Sequence, residues 1–310
     1  GTGVVYISHK LEEVMALADR ATVLRDGRLV GVKPMSELTR DEMVRLMVGR
    51  PLTKLYVRNH VPGGEVALEV RGLSVPGKVH DASLVAHKGE VVGITGLMGA
   101  GQPELVRAIF GAVPKSSGEI RLYGRPVDIR SPQDAIRHGI ALLTENRKEE
   151  GLVLLLSVVQ NSSLAALDKV SRFGFVDGKK ERRQAAGYVE RLAIKTPSLD
   201  QEVDSLSGGN QQKVVLAKWL ATDADVIIMA EPTRGIDVGA KAEVYRLIDE
   251  LAAHGKTILM VSSELPEVIN LSDRIYVMHE GRIVAELDAA ETTQEEIGTY
   301  ATGGTYHESA

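Results

Sequence analysis

Short apolar runs alternate with longer mixed stretches along this chain of 310 residues. Residues 67–70, 91–94, 226–229 and 257–261 are the clearest of these runs, and helical stretches lie between them. Continuous apolar runs that are flanked by helices are typical of parallel strands buried on both faces of a sheet. The pattern therefore predicts an α/β fold with a buried parallel sheet.

The start of the chain repeats a segment near its end. Residues 1–31 align without a gap onto residues 255–285, with far more identical pairs than chance would give. The second copy follows a long stretch that begins at Val66, and the first copy has no such stretch before it. We therefore expect residues 1–50 to be the C-terminal tail of a truncated domain. The identical pairs include Gly1 with Gly255, Ser8 with Ser262, Glu13 with Glu267 and Arg20 with Arg274.

A segment without periodicity separates the tail from the second domain. It carries Pro51, Pro62 and the pair Gly63–Gly64, which favour turns and extended chain. We expect residues 51–65 to form a linker and residues 66–303 to form a complete domain.

Composition narrows the class of protein. Hydrophobic residues make up 44% and charged residues 25%, as in ordinary globular proteins. The net charge of −5 argues against a nucleic-acid-binding surface, which would be basic. Cysteine is absent, which excludes disulfides, thiol nucleophiles and cysteine-ligated zinc. No apolar run approaches the roughly 18–20 residues of a membrane span, and we expect the best candidate, residues 151–159, to lie in the core.

A glycine-rich loop follows the strand predicted at residues 91–94. It approaches the phosphate-binding pattern G-x-x-x-x-G-K-[ST], in which backbone N–H groups and a helix N-terminus surround phosphate oxygens. Gln102 stands where a lysine would meet the phosphates, and Pro103 where a hydroxyl would bind Mg²⁺. An ordinary turn would explain a loop this degenerate equally well. The residues expected to line the nucleotide site are Gly96, Gly99, Ala100, Gly101, Gln102 and Pro103.

A second motif precedes a predicted helix at residues 206–213, with the sequence Leu-Ser-Gly-Gly-Asn-Gln-Gln-Lys. Ser207 and the N–H groups of Gly208 and Gly209 would form an anion site at the helix start. The alternative is an ordinary serine cap. This stretch resembles the signature motif of ABC ATPases, and its Gly-Gly-Asn-Gln-Gln-Lys form resembles that of sugar importers.

A third motif, at residues 226–241, resembles the Walker B strand and D-loop of the same family. Glu231 matches the carboxylate that polarises the attacking water, whereas Ala230 replaces the Asp that is linked to Mg²⁺. Residues 231–239 resemble the second cassette of fused sugar-importer ATPases. A buried strand that ends in a solvated glutamate is the alternative explanation.

Two further positions match the family less closely. His9 follows a short apolar strand and resembles the switch histidine that contacts the γ-phosphate, although a lone histidine is usually a surface residue. The repeat places Ser263 at the matching position of the second copy. Residues 145–151 resemble the segment that replaces the family's Q-loop, with Asn146 in place of the usual Asp, or they form a charged loop.

The resemblance covers nearly the whole chain and implies a fold and a set of partners. The fold is a P-loop (RecA-like) ABC ATPase core with an antiparallel β-subdomain and a helical subdomain at about residues 150–210. The ligands are ATP and Mg²⁺, both held weakly or not at all at this chain's own site, with no other metal. The partners are a second ABC cassette, transmembrane permease subunits and, indirectly, a sugar-binding protein, at the cytoplasmic face of the bacterial inner membrane; no nucleic acid is implied.

In this family two cassettes face head to tail, and each ATP lies between one glycine loop and the opposite signature. Ser207, Gly208 and Gly209 would then close the site of the first cassette, with His9 beside it.

Two alternatives differ from sugar import. A non-transport ABC protein that acts on ribosomes or DNA would carry basic insertions or a long charged linker, and neither is present. A non-catalytic remnant would bind permease without turnover.

Overall fold

The computed structural model describes residues 1–8, 11–25, 27–48, 56 and 58–305. Within them, none of the helices has the length and apolar character that crossing a bilayer requires. The strands are β1 (Arg20–Arg25), β2 (Arg28–Pro34), β3 (Val66–Val75), β4 (Val79–His87), β5 (Val91–Gly96), β6 (Ser117–Leu122), β7 (Arg125–Val127), β8 (Ile140–Leu143), β9 (Ser171–Arg172), β10 (Phe175–Val176), β11 (Val226–Ala230), β12 (Thr257–Val261), β13 (Arg274–His279) and β14 (Arg282–Asp288). The α-helices are α1 (Leu11–Leu17), α2 (Arg40–Val48), α3 (Gln102–Ile109), α4 (Pro132–Arg137), α5 (Val158–Ser163), α6 (Leu167–Val170), α7 (Gly178–Arg191), α8 (Gly208–Leu220), α9 (Val238–Ala253), α10 (Leu265–Leu271) and α11 (Gln294–Ala301).

A six-stranded sheet lies at the centre of the larger domain, in the order β14-β13-β5-β12-β11-β8. Its strands pair in parallel, except for the antiparallel edge strand β14. Every residue of β8, β11 and β12 is buried, because helices cover both faces. The predicted α/β fold is therefore confirmed, and each of the four apolar runs lies in a strand.

The remaining parts of the predicted architecture are also present. An antiparallel sheet in the order β4-β3-β6-β7 packs beside the central sheet and shares its core with α3. Helices α5 and α7 pack against α8 and form the helical part, which also carries the short hairpin β9–β10. A single core joins this part to the central sheet through residues such as Val158, Val214 and Met229.

The expectation that residues 151–159 lie in the core is only half correct. Leu152, Val158 and Val159 are buried, whereas Val153 and Leu155 are exposed. Residues 152–156 lie in no helix or strand, so successive side chains point in different directions, and Leu152 and the start of α5 face the core.

The repeat seen in the sequence is also a repeat of elements. At the same offset α1 corresponds to α10, the hairpin β1–β2 to β13–β14, and α2 to α11. Both hairpins carry an irregularity at the same place, between Val23 and Leu24 in one and between Val277 and Met278 in the other. The predicted end of the tail at residue 50 and the start of the linker at residue 51 lie outside the described residues.

Part of the predicted linker is fixed to the larger domain by a buried histidine. The ring of His60 lies between two carboxylates, with Nδ1 2.7 Å from Asp249 Oδ1 and Nε2 2.9 Å from Asp273 Oδ2. The backbone N–H of Asn59 also donates to Asp249, and Arg58 pairs with Asp273. These residues connect the chain to α9 and to the start of β13.

Candidate functional site

The glycine loop has a backbone that requires glycine at two positions. It spans the end of β5 and the start of α3, and Gly96, Gly99 and Gly101 have φ values of 157°, 86° and 101°. A Cβ atom on Gly96 would lie 2.3 Å from the carbonyl oxygen of Met278, and one on Gly101 would lie 2.7 Å from that of Lys78. Only glycine fits these two positions, so the loop is built by close backbone packing.

The residues that follow the glycines supply neither charge nor a hydroxyl. The Gln102 side chain is only 6% exposed and folds beneath the loop, where Nε2 donates to the Leu97 carbonyl at 3.4 Å. Pro103 lies in the first turn of α3, where its missing N–H is tolerated. Ala100 is buried and accepts a hydrogen bond from the Gly281 N–H through its carbonyl. The loop is therefore folded, but it lacks the lysine side chain that would meet the phosphates.

Glu231 stands directly after β11, in a left-handed backbone conformation with φ of 48°. Its N–H donates to the Val261 carbonyl, and its Oε1 accepts from the Ser263 N–H at 2.8 Å. Burial raises the pKa of this carboxyl and the charge of Glu267 adds to the rise, although the bonds from Ser263 oppose it. The position suits a carboxylate that accepts a proton at the edge of the sheet.

The residues around this carboxylate do not fit a Mg²⁺ ion. Ala230 ends β11 with a buried methyl group, and Pro103 offers no oxygen ligand from its side chain. Among the described residues no group of three or more His, Asp or Glu side chains could hold a metal ion. Mg²⁺ requires oxygen ligands in near-octahedral geometry, and Pro103 and Ala230, which stand where the family has its two protein ligands, carry no side-chain oxygen.

A buried carboxylate fixes the loops on which Glu231 stands. Glu267, on α10, accepts hydrogen bonds from Thr233, from the Tyr245 hydroxyl at 2.6 Å and from Ser262 Oγ at 2.9 Å. Lys241 lies 3.4 Å away. Burial and the adjacent carboxylate raise the pKa of the Tyr245 hydroxyl, which therefore stays a donor. The hydroxyl of Thr95, near the end of β5, donates to the Ser262 carbonyl at 3.1 Å, which links this network to the glycine loop.

The signature residues lie at the start of α8. Ser207 is exposed, and its hydroxyl makes no capping bond to the helix backbone but accepts from Asn210 Nδ2 at 2.9 Å. This observation counts against the explanation as an ordinary serine cap. A Cβ atom on Gly209 would lie 2.8 Å from the methyl group of Ala240, so glycine is required there by packing. The serine hydroxyl thus remains at the surface beside the positive end of α8.

Arg147 joins the signature to the loop that follows Glu231. Its Nη1 donates to the Arg234 carbonyl at 2.6 Å, its Nη2 to the Gly235 carbonyl at 3.1 Å, and its Nε to Gln211 of α8 at 3.4 Å. A Cβ atom on Gly208 would lie 2.6 Å from Nη2, so the guanidinium packs directly on the signature glycine. Burial lowers the pKa of Arg147, but an arginine stays charged in proteins.

The candidate residues named from the sequence therefore lie in two groups in the structure. The glycine loop and Glu231 are joined through the ends of β5, β11 and β12, and the signature residues are joined to the D-loop by Arg147. His9 lies outside the described residues. Sequence reasoning missed Arg147, Glu267 and His60 as organising residues. Only Glu267 left a signal, since it recurs as Glu13, whose Oε2 accepts from Ser8 as Glu267 accepts from Ser262.

Known proteins resemble this chain over most of its length. A family model described as "ABC transporter" matches residues 79–234. A ribose import ATP-binding protein of Rubrobacter xylanophilus is 52% identical over 98% of this chain and 61% of its own length. One from Geobacillus kaustophilus is 48% identical over 98% of this chain and 62% of its own length. The chain thus spans about three fifths of the length of these curated relatives.

Solved structures show the same fold. A nucleotide-free ATP-binding cassette from an ABC transporter superposes with a TM-score of 0.64 and 23% identity over 75% of this chain and 93% of its own. The cassette MJ0796, in a dimeric post-hydrolysis state with ADP and Pi, gives a TM-score of 0.62 over 72% of this chain and 98% of its own. The family match over half of the sequence shows that this chain belongs to the ABC transporter family.

Proposed function

We propose that this chain is part of an ATP-binding subunit that energises sugar uptake and that its own nucleotide site is degenerate. One observation carries the proposal: the glycine loop keeps its glycine-dependent shape, while buried Gln102 and Pro103 stand where charge and hydroxyl are needed. Such a loop would bind nucleotide weakly, because the positive charge beside the transferred phosphate is worth several kcal/mol in a dry site. The relatives named for ribose import support the substrate class.

The intact signature assigns this chain a second role. Ser207, Gly208 and Gly209 would close the nucleotide site of another cassette, which would supply its own glycine loop. His9 would lie beside that site. Residues 1–50 would be the tail of the first cassette, residues 51–65 the linker and residues 66–303 the second cassette, an assignment supported by the matching elements α1, β1, β2 and α2.

The same proposal defines the surroundings of the subunit. Its partners would be transmembrane permease subunits and, through them, a sugar-binding protein, at the cytoplasmic face of the bacterial inner membrane. Glu231 would be the water-polarising carboxylate of the chain's own site, where it works without support from Ala230 and with Ser263 in place of the switch histidine. Turnover by the intact subunit would then depend on the site that this chain completes.

ATP hydrolysis by the purified chain tests the proposal. We expect turnover near background, with or without added Mg²⁺, and restored turnover when a polypeptide containing the first cassette is present. Vigorous hydrolysis by the chain alone would overturn the degenerate site. Failure of the chain, joined to a first cassette, to support uptake of any sugar with the permeases of ribose and galactose importers would overturn the proposed substrate class.

A further inference from the structure

A two-stranded hairpin protrudes from the helical part between α6 and α7. β9 and β10 contribute two residues each, and Phe173 and Gly174 form the turn, with φ values of 52° and 83°. Two-residue turns with positive φ at both positions favour Asn-Gly or Asp-Gly, because a bulky side chain is strained there. An aromatic residue at the first position is therefore not explained by the needs of the turn.

The apolar side chains of this hairpin point into solvent. Phe173 is 88% exposed and Phe175 is 80% exposed, and Val176 is half exposed. The guanidinium of Arg172 lies 5.2 Å from the centre of the Phe173 ring and covers one of its faces. Two aromatic rings at a projecting tip form a convex apolar surface, not a groove that a side chain of another protein could enter.

The surroundings of the tip are basic although the chain as a whole carries a net charge of −5. Asp177 is occupied as the cap of α7, and Glu181 accepts from Ser163. Lys179, Lys180 and Arg183 are exposed on the first turns of α7. The segment 167–183 holds six basic residues, but Lys169 pairs with Asp223 and Arg182 pairs with Asp200. The basic character near the tip therefore comes from Arg172, Lys179, Lys180 and Arg183, against the acidic residues Asp168, Asp177 and Glu181.

We propose that this hairpin is a membrane contact, in which Phe173 and Phe175 enter the headgroup layer of a bilayer that contains anionic phospholipid. Aromatic rings partition into the interfacial layer, and adjacent lysine and arginine side chains add attraction to acidic headgroups. The two forces act at the same place because the basic turns of α7 begin directly after β10. A convex tip needs no complementary pocket, which favours lipid over a protein partner.

This contact goes beyond sugar import and does not depend on it. It would hold the helical part of the subunit against the bilayer irrespective of the sugar carried or the state of the nucleotide sites. If the proposed membrane contact is wrong, the proposed transport function is not affected.

Flotation with lipid vesicles tests the contact on the 310-residue chain. The vesicles contain phosphatidylcholine alone or phosphatidylcholine with about 30% phosphatidylglycerol, a mixture that supplies the negative surface potential. We expect the chain to float with the mixed vesicles and to be released by about 0.5 M salt, which shortens the Debye length. A Phe175→Trp variant should show blue-shifted fluorescence and quenching by bromolipids only with the mixed vesicles.

Three variants separate the two forces from nonspecific adsorption. Phe173→Ser with Phe175→Ser and, separately, Lys179→Ser with Lys180→Ser should each weaken binding by about tenfold or more. The matched control is Leu24→Ser with Leu29→Ser, which removes two exposed apolar side chains from the hairpin β1–β2 and should bind as the unmodified chain does.

Two results would overturn the proposal. One is that the unmodified chain fails to float with mixed vesicles at low salt, and the other is that the aromatic variant floats as well as the unmodified chain. If that variant floats normally but no longer associates with permease-containing membranes, the hairpin is instead a contact with protein.

Discussion

The carboxylate of Glu231 accepts the backbone N–H of Ser263 at 2.8 Å, and this bond joins the end of β11 to the end of β12. The donor is the backbone, so a change of side chain at position 263 leaves the bond in place. Position 263 matches His9 in the repeat. In the proposed nucleotide site of this chain, the carboxylate therefore has a fixed position, while Gln102, Pro103, Ala230 and Ser263 stand where the family has other groups.

Restoring the side chains that the family has in its nucleotide site should raise the affinity for nucleotide before it raises the rate of ATP hydrolysis. We expect Gln102→Lys with Pro103→Thr to raise the affinity for a fluorescent ATP analogue by about tenfold or more, since each charge-assisted bond to phosphate is worth about 1.5–3 kcal/mol. Turnover should stay low until Ala230→Asp and Ser263→His are added. The fold of the double variant is checked by circular dichroism. If the folded double variant binds the ATP analogue no more tightly than the unmodified chain does, the loop is not a phosphate site.

Glu231 should lower the stability of the folded chain at neutral pH. Its folded-state pKa lies above the unfolded value, so its charged form is disfavoured in the fold, and the penalty is complete above the folded pKa. We expect Glu231→Gln to raise the melting temperature by roughly 1–3 °C at pH 8, because the amide oxygen can still accept from Ser263. The gain should shrink as pH falls towards 4.5, and a loss of stability at pH 8 would contradict it.

The strands of the central sheet could be predicted because their signal is local. Residues 226–230 and 258–261 are apolar without interruption, and burial on both faces requires little else. The glycines of the loop were visible for the same reason, since Gly96 and Gly101 occupy positions that no other residue fits.

The organising contacts of the site could not be predicted, because they join residues that are far apart in sequence. Arg147 donates to the backbone carbonyls of Arg234 and Gly235. Every residue has such a carbonyl, so the sequence does not show which ones accept a hydrogen bond. His60 lay in a stretch that reads as a linker, and its carboxylate partners are on α9 and beside β13. Only the fold shows that this stretch is anchored.

His60 should stabilise the fold in a window of pH. Burial by itself lowers its pKa, but the hydrogen bonds that the ring donates to Asp273 and Asp249 outweigh burial and raise it above the ordinary value of 6.5. The stabilisation is therefore complete below the unfolded pKa of the imidazole and is lost as pH rises through the folded pKa. The pKa values of both aspartates are lowered despite burial, so their contribution disappears as pH falls below about 3.8.

We expect His60→Ala to cost about 3 kcal/mol or more at pH 6, because it leaves two buried carboxylates without their shared partner. This corresponds to a fall in melting temperature of roughly 5–10 °C. The difference between variant and unmodified chain should narrow as pH rises to 9. His254→Ala, at an exposed position on the end of α9, is the control and should change the melting temperature little at either pH.

Ser207→Arg tests whether the signature completes a second nucleotide site. The side chain of Ser207 is exposed and makes no capping bond, so its replacement should barely change the stability of α8. A bulky cation at this helix start would nevertheless fill the backbone cradle formed with Gly208 and Gly209. We expect ribose uptake by cells that carry the full-length subunit with this one substitution to fall to background.

Thr293→Arg is the matched control, because Thr293 is an exposed N-cap of α11 whose hydroxyl does accept from the Glu296 N–H. It introduces the same cation and removes a genuine cap, which costs about 1 kcal/mol, yet it lies outside the signature. Uptake should therefore survive Thr293→Arg and disappear with Ser207→Arg, although Thr293→Arg is the more destabilising change. The opposite order, or retained uptake with Ser207→Arg at normal protein levels, would leave the start of α8 with no part in a nucleotide site.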